Sequence, residues 1–375
     1  MHGAVTIARD LIAIPSVNPM GTSAVGDIYS EKHVAAYVQR YCSNLGFDTK
    51  LVGNDKQHPN ILVLADLGCS QTVLLEAHMD TVSHENMTIS PFDPVVKQGY
   101  LYGRGSCDTK ASLAVYLHAA SVITTQRLRL KRNFIIAGVH DEEYAFGGSR
   151  ELARQGIAAS FAIAGEPTSL NIIFAHKGVC RFLLQTEGTS AHAALPWLGD
   201  NAIYRMADVI HEIQMHSEEL KGRTHPELGP ATINVGRIFG GEAVNTVPPS
   251  CTIDIDRRLL PGEDYVSVRS LLQGRLAKLG KHVKILDPYV EAPGVYHRKD
   301  SLPCRSLIEA SKIVNWKPEF QTAHFGTDAS ILSAAGIPTA VFGPGSITLA
   351  HTNAECVPVV ELEKASDIIV ALLTE

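Results

Sequence analysis

The stretch Asn133-Phe-Ile-Ile-Ala-Gly-Val-His-Asp-Glu-Glu143 is an uncharged run of strand length that stops abruptly at an imidazole and three carboxylates. Three more apolar runs read as buried strands: Asn60-Ile-Leu-Val-Leu-Ala65, Thr72-Val-Leu-Leu-Glu-Ala77 and Phe161-Ala-Ile-Ala-Gly165. Helical periodicity falls around and between them, over residues 30–46, 110–125 and 148–155. Strand and helix in alternation predict an α/β layer with a mostly parallel central sheet flanked by helices. The runs ending at 139 and 165 both continue into acidic residues. The carboxyl ends of strands are where open α/β sheets carry their sites.

From about Lys177 the pattern changes to strand 179–186, helix 201–221, strands 231–239 and 251–258, helix 264–279 and strand 282–286. That β-α-β-β-α-β order is the split ferredoxin-like arrangement. After Pro293 the α/β patterning returns, with helices over 304–314 and 329–335, a strand at 339–342 and a closing helix from Val360. The expected organisation is a discontinuous first domain, 1–176 with 293–375, and an inserted α+β domain, 177–292. A chain of 375 residues has the length for both.

With 45% hydrophobic and 19% charged residues, the composition is that of a packed globular protein. The net charge of −6 comes without a basic block, which argues against nucleic acid as a partner. The short group Arg127-Leu-Arg-Leu-Lys-Arg132 reads as a solvated connection. Met1-His2-Gly3 runs straight into an amphipathic segment with Arg9 and Asp10, so no signal peptide is expected. No apolar run approaches the length of a membrane span. Seven cysteines, odd in number and without CxxC spacing, are expected to be reduced thiols of a cytoplasmic protein.

Five segments carry acid and imidazole groups just after apolar strands or in glycine-rich turns: HMDTV (His78, Asp80), GRGSCDTKAS (Asp108), HDEEYAFGG (Glu142, Glu143), AGEPTSL (Glu166) and GPGSITLAHTNAE (His351). A charge at the end of a buried strand is costly unless compensated, and a metal ion is a strong compensation. Any one segment alone reads as a hydrogen-bonded strand end; the five together read as a metal site. Imidazoles and carboxylates without thiolates suit zinc, or cobalt or manganese in its place. Two divalent ions balance three carboxylates and one bridging hydroxide better than a single ion would. His78 and Asp80 share one face of an extended chain, so Asp80 can orient its neighbours. Adjacent Glu142 and Glu143 face opposite ways, which allows one to bind metal while the other approaches a bridging water.

In that order, the HMD, GRG..D, DEE, GEP and AHT motifs resemble those of the acetylornithine deacetylase and succinyl-diaminopimelate desuccinylase family of dinuclear metallohydrolases, with its aminoacylase and carboxypeptidase relatives. The resemblance spans essentially the whole chain. It implies that His78 and Glu166 hold one metal, Glu143 and His351 the other, and that Asp108 bridges them. It also implies that Glu142 is the general base for a metal-bridging water, with Asp80 beside it. The inserted domain would be a lid and dimerisation domain. There GTSAHAALPWLGDNAI resembles the segment whose histidine, here His192, stabilises the oxyanion across a homodimer. EAVNTVPPSCTIDIDRRLLPGE resembles the segment that places Asn245 and Arg257 near substrate. Arg257 would pair with a substrate carboxylate or serve in a structural salt bridge.

AGEPTSLNIIFAHKG, FGTDASIL and GPGSITLAHTNAE are most similar to acetylornithine deacetylases. The expected activity is therefore hydrolysis of the amide of an N-acyl amino acid; a dipeptidase, carboxypeptidase or desuccinylase is the alternative. Asp328, Glu355 and Glu242 are candidate partners for a cationic amine on the substrate. A dinucleotide-binding reading of Gly103-Arg-Gly105 lacks its third glycine. Ser106 lacks the GxSxG context of a nucleophile, and Cys107 reads as a buried thiol.

Overall fold

The computed structural model describes residues 3–280 and 282–375; Met1, His2 and Lys281 lie outside the described residues. The four apolar runs become strands of one sheet, joined by three further segments: Asp48–Val52 (β1), Asn60–Ala65 (β2), Thr72–His78 (β3), Asn133–Val139 (β4), Phe161–Ala164 (β5), Ile172–His176 (β6) and Thr339–Val341 (β7). Their order is β1-β2-β4-β3-β5-β7-β6. The four central strands are parallel, with Thr72 opposite Asn133, Val73 opposite Phe161 and Thr339 opposite Ala162. β1 and β2 continue the sheet antiparallel on one side, and Val341 meets Ile173 of β6 antiparallel on the other.

The central strands are covered on both faces, which is why they read as unbroken apolar runs rather than as alternation. On one face Leu74, Ala137, Val139 and Ala162 pack with Leu152 of the helix Gly147–Arg154 and Leu332 of the helix Ala329–Ala334. Each such buried leucine contributes about 1.5–3 kcal/mol. The helix Lys110–Thr125 packs on β3 and between the helices Ala4–Ile12 and Val359–Leu373, and is buried almost all round. The helix Gly147–Arg154 lies so close to the end of β4 that a Cβ at Gly148 would stand 2.5 Å from His140 N. Only glycine permits that approach.

The second unit has its own antiparallel sheet, ordered Thr232–Gly240, Ser250–Leu259, Gly178–Glu187, Val283–Ile285, with the helices Ala202–Leu220 and Tyr265–Leu276 between strands in sequence. This is the ferredoxin-like order expected from the pattern, with Val290–Ala292 added against Gly178–Glu187. Its helices start at side-chain caps: Asn201 Oδ1 accepts from Ile203 N at 2.9 Å, and Asp264 Oδ1 from Ser267 N at 2.7 Å. Compactness divides the chain into Met1–Phe174, His297–Gln321 and Thr327–Glu375 as one unit, and Ala175–Tyr296 with Thr322–Gly326 as the other. The limits expected from the sequence were 176/177 and 292/293; the compact units meet at 174/175 and 296/297, and the second unit also takes in 322–326. Among the described residues no helix is long and apolar enough to cross a membrane.

Candidate active site

Because β3, β4, β5 and β7 run parallel, the segments that follow them leave the same edge of the sheet. His78 closes β3; Asp141, Glu142 and Glu143 follow β4; Glu166 follows β5; His351 lies in the long turn after β7. Asp108 comes from the turn before the helix Lys110–Thr125. Its carboxylate lies between two imidazoles, with Oδ1 3.0 Å from His78 Nε2 and Oδ2 3.0 Å from His351 Nε2. Glu143 Oε2 is 3.2 Å from His351 Nε2, and Glu166 Oε1 is 4.0 Å from His78 Nε2. Donor atoms of His78, Glu142 and Glu166 lie within 4.8 Å of one another, as do those of His78, Asp108 and Glu143.

The ring orientation of His78 is set from behind. Its Nδ1 donates to the Asp80 backbone oxygen at 2.9 Å, which turns Nε2 toward the cluster. The Asp80 side chain works on the opposite strand end. Oδ1 accepts from Glu142 N at 3.2 Å and Oδ2 from Glu143 N at 3.1 Å, which fixes the backbone of both glutamates. Asn18, 4% exposed, donates to Asp80 at 2.8 Å and to Asp141 at 3.0 Å and ties the cluster to the N-terminal segment. No motif around Asn18 marks it out.

The cluster is short of positive charge. Burial pushes the Glu142 and Glu166 carboxyls well above their ordinary range, and the nearest carboxylate adds to this, Glu166 for the first and Asp108 for the second. Hydrogen bonds to Asp108 and Glu143 lift His351 to about 10. Asp108 is held below the usual range because its bonds to His351 and His78 outweigh its burial. Glu143 Oε1 is buried without a hydrogen-bond partner. A set of imidazole and carboxylate donors with an unmet buried oxygen and excess negative charge fits divalent cations, which bind such groups by displacing their protons.

In the second unit the two segments singled out by sequence run side by side. Ala193 N donates to Asn245 O at 2.9 Å, and His192 pairs with Thr246. His192 and Asn245 are both exposed. His192 Nδ1 accepts from Ala194 N at 3.0 Å, so the neutral ring carries its proton on Nε2 and presents it as a donor.

Arg257 is engaged within the second unit. Its guanidinium is 1% exposed: Nη2 lies 3.0 Å from both carboxylate oxygens of Glu263, and Nη1 donates to Thr232 O at 3.3 Å. Strand alternation turns Arg257 inward, while Arg258 bonds Asp256 on the other face. In this arrangement Arg257 makes the structural salt bridge that the sequence also allowed for it. The candidate partners of a substrate amine divide similarly: Glu355 is engaged by Arg104 at 2.6 Å, Asp328 is 1% exposed with burial raising its carboxyl to about 6, and Glu242 is exposed.

Residues 74–375 match the peptidase family M20/M25/M40, and the chain belongs to that family. It is a metal-dependent hydrolase acting on amides. An acetylornithine deacetylase of Myxococcus xanthus is 32% identical over 305 residues, 79% of this chain and 77% of that protein. An acetylornithine deacetylase of Salmonella arizonae is 31% identical over 360 residues, 92% of this chain and 91% of that one. A solved metallo-carboxypeptidase of the M20 family from Sulfolobus solfataricus has a TM-score of 0.81 at 18% identity, covering 99% of this chain and 98% of its own, a likeness of fold. The resemblance to acetylornithine deacetylases and the α/β fold with a separate antiparallel sheet are thus borne out.

Proposed function

We propose that the chain is an acetylornithine deacetylase-like deacylase that hydrolyses the amide bond of an N-acyl amino acid. The observation that carries this reading is the identity to two acetylornithine deacetylases over most of the chain, 31–32%. The site's geometry supports two divalent ions, zinc or else cobalt or manganese. His78 and Glu166 would hold one, Glu143 and His351 the other, and Asp108 would reach both. When bound, such ions polarise a carbonyl and acidify water. Glu142, left out of that ligand set yet within reach of His78 and Glu166, takes the proton of the attacking water at its carboxylate. It then delivers that proton to the amine nitrogen as the C–N bond breaks. His192 donates from Nε2 to the carbonyl oxygen as negative charge develops there.

Hydrolysis rates for N-acetyl, N-succinyl and N-formyl amino acids and for dipeptides, each assayed with zinc, cobalt and manganese, test the substrate class. Turnover led by the acetyl compounds supports the reading. Turnover led by dipeptides would replace the deacylase with an exopeptidase.

His192 acts, in this reading, from the partner of a homodimer formed through the inserted domain. Supporting this, Trp197, Tyr204, Ile238, Phe239 and Val244 are all more than half exposed there, and Thr232–Gly240 is an edge strand with one side unpaired in its sheet. His192→Ala is expected to lower kcat by about 10²–10³-fold, the usual loss for one oxyanion donor, with metal content unchanged. Wild-type kcat in that variant, or full activity in a protein that sediments as a monomer, would refute it.

A further inference from the structure

Glu355 has no place in the chemistry above, yet its carboxylate is fully buried. It closes the turn that carries His351 and directly precedes the strand Cys356–Pro358, which pairs with Tyr100–Tyr102 so that Gly103 N donates to Glu355 O at 3.2 Å. Oε1 accepts from Cys107 N at 2.8 Å and from Asp108 N at 3.0 Å. Oε2 accepts from Arg104 Nη1 at 2.6 Å, and Arg104 Nη2 reaches Thr352 O at 3.4 Å. Arg104 is itself 2% exposed.

A buried ion pair is weak evidence of stability, because desolvating both charges offsets most of their attraction. What this pair provides is geometry. Charge-assisted bonds are short and directional. Two of them end on consecutive backbone amides, one of which belongs to Asp108 itself, while the arginine grips the residue after His351. The two turns are therefore held to each other, although His351 itself sits in left-handed backbone at φ 60°. An Asp108 turned away by a small backbone rotation would meet one imidazole and miss the other.

We propose that Glu355, held by Arg104, is a positioning residue for the metal centre: it aligns the Asp108 turn with the His351 turn so that one carboxylate serves both ions. The proposal rests on the two-ion reading. Zinc titration of the metal-free protein by calorimetry tests it, with Glu355→Gln as the main variant. The carboxamide keeps an oxygen for the two amides but turns a donor toward Arg104. Wild type is expected to take up two equivalents. Glu355→Gln is expected to keep the first and to bind the second about 10–100-fold more weakly, the range for loss of a partner behind a ligand. A merely structural role would lower the melting temperature of the metal-free variant and leave stoichiometry and affinities unchanged, which would overturn the proposal. Should Glu355→Gln not fold, Arg104→Lys keeps the charge, loses the tie to Thr352 and is read in the same way. A wild type that binds fewer than two ions would instead refute the two-ion reading.

Discussion

Glu142→Gln is expected to bind its metals normally and to lose about 10²–10⁴-fold in kcat, the contribution of a positioned general base. The substitution is nearly isosteric and removes only the ability to take a proton. Glu142 N remains bonded to Asp80, so the variant keeps the backbone geometry of the strand end. Burial and Glu166 push the Glu142 carboxyl upward, and cations bound beside it act in the opposite direction. Elemental analysis and steady-state kinetics on the same preparation check the pair of expectations. Turnover within a few-fold of wild type would remove Glu142 from the mechanism.

Asp108→Ala is expected to be more damaging, because in the proposed two-ion site it would deprive both ions of a ligand at once. Among the described residues, Asp108 presents one oxygen to each imidazole, at 3.0 Å on both sides. Without it, His78 and His351 lose the carboxylate that stands within hydrogen-bond distance of both rings. Activity should fall below that of any variant acting from behind the ligands, for which losses of about 10–100-fold are usual. Bound metal should drop below two equivalents after exhaustive dialysis. Retention of two equivalents with undiminished affinity would show that Asp108 is not shared.

Much of this was legible in the sequence, and the reasons are physical. A strand covered on both faces must be apolar throughout, so β3, β4 and β5 stand out, and charges at their ends are conspicuous. The parallel order then brings those ends together. What escaped had no such contrast. β1, Asp-Thr-Lys-Leu-Val, is a mostly exposed edge strand and offers no apolar run. Asn18 and Glu355 act through hydrogen bonds to residues far away along the chain, which no local pattern encodes. Arg257 and Arg258 are consecutive, and a period of two cannot say which of them faces inward without the register.

The position of β7 constrains how the molecule comes into being. This strand enters the sheet between β5 and β6, yet it follows both of them and the whole inserted unit in the chain. A growing polypeptide can pair β1 to β5 early, but it exposes the open side of β5 until residues near 340 have been made. His351 comes later still. Contacts of such long sequence separation are slow to close and leave unpaired strand edges exposed in the interval. Assembly of the metal centre thus becomes one of the last events in the birth of the protein, and a chain truncated before it would carry an incomplete sheet along with an incomplete ligand set.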